Sequence, residues 1–262
     1  MQRALQSEAP DFGTVMVTVR VGTVPHTVDF PVYERPIRKS SQFVDNALKE
    51  PWQESTDRVI SLPKVRRNTF QIYHEWLLTG KLHTVPQPPN GSGMSTENYI
   101  LYVELIYLSN ALHLGYYLLD TDFTDTVCDG ILQCTSSASN ISFFTVWGSD
   151  CYKGIPYGEP ARKLIVDLIA WTSKASGIRR LSNRHHVEDP DFVMDVLQAV
   201  AARFMSAKPS TSPLQGWETS CKYHCHGKDK PCFREKAKKS VDSTGKRPAP
   251  DDAESHTKRQ RV

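Results

Sequence analysis

The chain has 262 residues, 39% of them hydrophobic and 23% charged, which is enough for one or two compact domains with a core of their own. Its charge is divided unevenly: Cys221–Val262 holds 12 Lys/Arg and 6 Asp/Glu, the first 220 residues 20 and 23. With 10% aromatic residues the composition excludes a wholly disordered polymer, and a mildly acidic body with a basic tail points to an appended function in the tail.

Met1–Pro10 is polar, and the apolar run Val15–Val21 is short and broken by Thr18 and Arg20. No secretory signal is therefore expected. The longest apolar stretch, Tyr99–Leu119, contains Glu104, Asn110 and His113, which marks a buried-face helix rather than a membrane span. In the reducing compartment this implies, the six cysteines are not expected to pair. Cys128, Cys134 and Cys151 read as small buried hydrophobes.

Met16–Val21 alternates valines with Met16, Thr18 and Arg20, the period of a strand. Turn residues at Gly22–Pro25 lead to a second strand at Thr27–Val32, making a hairpin. Pro36 opens a helix in its first turn, and Ser41–Leu48 is a second short helix. Arg58–Leu62 is a third strand. Asn68 or Thr69 starts a helix with Phe70, Tyr73 and Leu77 on one face, and Gly80 stops it.

After the Pro/Gly/Ser-rich loop Val85–Ser95, Thr96 starts a long helix with an apolar stripe at Leu101, Leu105, Leu108 and Leu112, and Gly115 is its expected end. Asp120–Gln133 is a further helix with Phe123, Val127 and Ile131 on one face. Two more are expected at Pro160–Thr172 and Pro190–Met205. The second has Asp189 as cap and Phe192, Val196, Val200 and Phe204 as its buried row. Strands followed by helices around one small sheet define an α+β protein.

Several segments resemble the BTB/POZ domain, in its fungal style. They are Val17–Val21 with Gly22; Phe30-Pro31-Val32-Tyr33 with Ile37 and Ser40-Ser41-Gln42-Phe43; Trp52-Gln53-Glu54 with Arg58–Pro63; and the F-Q-I-Y-H-E-W-L-L-T-G-K-L run Phe70–Leu82. The sequence departs from the family at Tyr33, where His is usual, at Pro36, and in the long loop Val85–Ser95. The resemblance implies a BTB/POZ-like domain over 11–133, a small three-stranded sheet packed by helices. The rest divides into a helical extension (140–206), a linker (207–220), a Cys/His-rich element (221–233) and a disordered basic tail (234–262). It further implies a non-enzymatic scaffold that homodimerises, acting in transcription-related assemblies. The alternative it implies is a substrate adaptor on a cullin-class ubiquitin-ligase scaffold. The residues agree in offering no phosphate loop, nucleophile elbow or His-Glu-x-x-His helix.

Two motifs lie in the tail region. Lys246-Arg247, a ten-residue spacer, and Lys258-Arg259-Gln260-Arg261 have the spacing of a bipartite nuclear-import signal for importin, which makes the nucleus the expected location. The competing reading is a solvated basic tail with generic affinity for polyanions. Cys221, His224, His226 and Cys232 offer thiolate and imidazole donors for a zinc ion, with Cys225 as an alternate. His185-His186 beside Glu188-Asp189 reads as the polar lead into the Asp189 cap, not a metal site. Arg179, Arg180 and Arg184 have no interleaved aromatics, so direct nucleic-acid binding is not expected.

Overall fold

Alternating valines need one covered face, and the sheet supplies it. In the computed structural model, which describes residues 11–87, 95–136, 144–173, 178–179, 181, 189–205 and 211–236, β1 (Met16–Val21) pairs antiparallel with β2 (Val28–Tyr33). Val17 stands opposite Val32, and Val19 opposite Phe30. Val17, Val19 and Val21 are buried while Met16 and Arg20 are exposed, the two-residue period of a half-covered strand. Pro31 cannot donate to a ladder, and it lies in β2, an edge of the sheet.

β3 (Val59–Leu62) joins the other side of β1 in parallel, giving the order β2-β1-β3. A parallel neighbour demands a crossover. Three short helices provide it: α1 (Glu34–Ser40), α2 (Gln42–Ala47) and α3 (Gln53–Asp57). Pro36 falls in the first turn of α1, where its missing N–H is no loss. Ser41 caps α2 by accepting the Val44 N–H, and its own hydroxyl donates to the Leu118 carbonyl. One buried side chain thus ties the crossover to the helical half.

α4 (Arg67–Thr79) ends at Gly80, whose φ of 68° and N–H bond to the Trp76 carbonyl form a left-handed cap. α5 (Thr96–Leu118) runs past Gly115, the expected stop. Gly115 is instead a contact point: a Cβ there would lie 2.5 Å from Thr124 Oγ1 of the next helix. That helix, α6 (Thr121–Ser136), is capped by the buried Asp120. Asp120 accepts the Phe123 N–H on one oxygen and the Ser40 and Tyr73 hydroxyls on the other. Burial pushes its carboxyl up to about 6, against the opposing pull of those hydrogen bonds.

α7 (Phe144–Lys153) has no counterpart in the sequence pattern. Trp147 anchors it to α5 by donating to the Leu105 carbonyl (3.0 Å) and Ser109 Oγ (2.6 Å). His113 Nε2 meets the Cys151 carbonyl at 2.7 Å. α8 (Pro160–Thr172) packs on α9 (Pro190–Met205), which Asp189 caps through the Asp191 and Phe192 N–H groups. Phe192 and Val196 are buried, but Phe204 is 74% exposed, contrary to the expected row. α8 has run out by then: Arg203 already donates to the last-turn carbonyls of Ala170 and Trp171.

The architecture is α+β, and one cluster of buried side chains runs from the strand valines through α4–α9 to Tyr223. Among the described residues, no helix is long and apolar enough to cross a membrane.

Candidate metal centre

Residues 211–236 return to the body as turns, a 3-10 turn at Trp217–Thr219 and a helical turn at 233–236. Charge directs this docking. Asp122, Asp125 and Asp129 recur at i, i+3 and i+7 on α6, a single helix face, and each meets the returning chain. Asp122 takes Lys236 Nζ at 2.7 Å. Asp125 accepts the backbone N–H groups of Cys225 (2.6 Å) and His226 (3.4 Å). Asp129 is gripped through both oxygens by Arg234 and meets His224 Nε2 at 3.0 Å. On α8, Asp167 accepts from Lys222 (2.9 Å) and the Tyr223 hydroxyl (2.8 Å). Leu214 and Trp217 pack against the core beside these contacts.

The carboxyls respond to their surroundings. Burial raises the Asp125 pKa above the usual carboxylate range, with the Cys225 N–H only partly opposing it. Burial also works to raise Asp167, but hydrogen bonds from Lys163, Lys222 and Tyr223 outweigh it and hold the group low.

On this platform Cys221, His224, His226 and Cys232 come together, with one donor atom from each within 4.8 Å of the others. The second partner of each imidazole decides which nitrogen faces inward. His224 Nε2 is engaged by Asp129, and its Nδ1 lies 3.6 Å from Cys232 Sγ. His226 Nδ1 lies 3.2 Å from the Gly227 carbonyl, while its Nε2 is buried without a hydrogen-bond partner. A buried, unsatisfied imidazole nitrogen costs free energy unless a ligand occupies it. Sulfur and nitrogen on a tetrahedral ion, bonded at about 2.3 Å and about 2.1 Å, stand roughly 3.6 Å apart, the separation found between Cys232 and His224. Burial, then the neighbouring Cys232 thiol, raise the pKa of Cys221; an ion binding there displaces a proton that the bare protein retains.

Cys225 turns out of this set. Its Sγ lies 3.9 Å from the Thr121 carbonyl, and burial followed by Asp125 pushes its thiol up. All six cysteines are free thiols. The basic residues Lys246, Arg247, Lys258, Arg259 and Arg261 lie outside the described residues, as do Arg180, Arg184, His185 and His186. Asp125, Asp129 and Arg234, which hold the cluster, were not singled out from sequence. The signal was present as an acidic i, i+3, i+7 stripe on a helix with no other charged residue, facing a basic segment some hundred residues on.

No protein-family model matches the chain, and no curated protein matches it. Fold and site define an α+β protein carrying a four-donor Cys/His cluster.

Proposed function

We propose that the chain is a non-enzymatic scaffold for protein–protein assembly, of the BTB/POZ type, in which one zinc ion on Cys221, His224, His226 and Cys232 staples the C-terminal element to α6. The observation that carries the staple is the completeness of the donor set. Structural zinc takes four protein ligands, whereas catalytic zinc keeps a position open for water or substrate. The contact of His224 Nε2 with Asp129 and the free His226 Nε2 support the same assignment. Element order supports the BTB part: a hairpin, short helices, a parallel third strand, then the helix carrying Trp76-Leu77-Leu78-Thr79-Gly80 and a helical pair. Val15 and Met16, exposed at the start of β1, supply apolar surface for self-association. The tail clusters at Lys246-Arg247 and Lys258–Arg261 then serve importin binding and nuclear residence.

The test combines metal analysis with light scattering on protein purified without chelator. One zinc per chain, lost in Cys232→Ala, with a mass twice that of the chain, is the expected result. Zinc well below one equivalent overturns the staple, and a monomeric mass at micromolar concentration overturns the dimer. Recovery of a near-stoichiometric cullin-class scaffold from native cells would replace the nuclear scaffold by a ligase adaptor.

A further inference from the structure

Between the turn that follows β3 and the C-terminal half of α5 lies a groove of about 680 Å³, which Gly154 and Pro156 also line. Its volume falls in the general range of ligand-binding clefts. Val65 and Leu114 line it, and Tyr117 forms a wall. Tyr117 is 49% exposed yet fixed in place, because its ring rests on Phe43 at 5.2 Å. His113 lies in the lining with Nε2 on the Cys151 carbonyl, and burial lowers its pKa, which keeps it uncharged. The groove therefore has a preformed apolar surface with few ordering costs left for a ligand to meet.

Its charge is one-sided. Lys64 and Arg66 stand exposed on the rim, and Arg67 follows; no Asp or Glu lines the groove. Neither Lys64 nor Arg66 has an ion-pair partner among the described residues, whereas Arg20, Arg38 and Arg58 are all paired. The chain's own tail is a poor match: residues 237–262 hold 7 Lys/Arg against 4 Asp/Glu.

We propose that this groove docks a segment of a partner protein in which an aromatic–aliphatic pair is flanked by acidic residues. The apolar pair enters between Val65, Pro156 and Tyr117, and the acidic flanks meet Lys64 and Arg66. The proposal rests on the scaffold reading only in taking a protein segment as ligand. It shares no residue with the metal cluster.

The test uses the full zinc-loaded chain and fluorescein-labelled twelve-residue peptide pools read by anisotropy. One pool carries a central Phe-Leu pair between fixed Asp/Glu flanks. The others replace the flanks by Lys or the central pair by Ala. The acidic Phe-Leu pool is expected to bind in the micromolar range, and Lys64→Glu with Arg66→Glu to weaken it at least about tenfold. Both positions are exposed, so an unchanged melting temperature is expected. Asn110→Trp, which fills the groove from α5, should weaken binding without touching the rim charge. The proposal is overturned by no binding at tens of micromolar, by equal binding of either control pool, or by competition from an oligo-dT strand, which would make the groove a polyanion site. Zinc content and mass on the same sample separate these outcomes from failure of the scaffold itself.

Discussion

Replacing Asp129 by Ala removes the acceptor that holds His224 and the partner of Arg234. The His224 side chain is 1% exposed, so its Nε2–H would find no replacement in water. A buried donor left unpaired costs about 1–3 kcal/mol. Loss of an outer partner of a metal-binding imidazole lowers affinity about 10–100-fold, equivalent to roughly 1.4–2.7 kcal/mol, so the two routes agree. Arg234, 18% exposed in its side chain, would also lose its only carboxylate among the described residues. Zinc competition against a chromophoric chelator measures the affinity directly. Asp129→Asn should recover most of it, since an amide oxygen still accepts from His224 but cannot pair with Arg234. If Asp129→Ala binds zinc as tightly as the parent while Cys232→Ala abolishes binding, His224 is not held as a ligand through Nδ1 and the proposed geometry is wrong.

Asp120 titrates at about 6 in the fold and near 3.9 when unfolded, so the folded state holds a proton that the unfolded chain has lost between those values. Its contribution to stability therefore falls as pH rises through about 4 to 6, by up to about 3 kcal/mol. Asp125 moves the same way, whereas burial lowers the His74 and His113 pKa values and acts with the opposite sign. The difference between Asp120→Asn and the parent isolates the term: denaturant unfolding should show the variant gaining relative stability from pH 4 to pH 7, and a pH-independent difference would reject it. Gly154→Ala would put a Cβ 2.3 Å from His113 Nε2, a ring already fixed on Cys151, and should cost about 1–3 kcal/mol in thermal unfolding; a variant as stable as the parent would mean that this contact is loose. Lys258, Arg259 and Arg261 changed together to Ala should move a fluorescent fusion out of the nucleus, and unchanged nuclear accumulation would remove the import function from the tail.

Local patterning is legible in the sequence. The valines of β1 and β2, the Leu stripe of α5, the Asp189 cap and the Gly80 stop are each specified by nearby residues in sequence, because strand alternation, helix periodicity and capping act within about 18 residues. The four donors Cys221, His224, His226 and Cys232 were legible for the same reason: they fall within twelve consecutive residues. Where a feature answers to a distant partner, the local pattern fails. Gly115 reads as a helix stop, but its lack of a side chain serves the approach of Thr124. α7, with Thr145, Gly148 and Ser149 among its ten residues, has poor intrinsic propensity and exists because Trp147 is anchored on α5. Phe204 obeys the helical period yet lies beyond the end of its packing partner.

What the sequence alone determined is thus the α+β class, most of the helix and strand positions and the identity of the four donors. Tertiary structure alone decided that Cys225 turns away, which nitrogen of each histidine faces the cluster, and that Asp125 and Asp129 of α6 hold it. The reason is distance along the chain. Asp129 and Arg234 are about a hundred residues apart, and such a pairing is set by how α6 is oriented when the core closes, which no short stretch of sequence encodes.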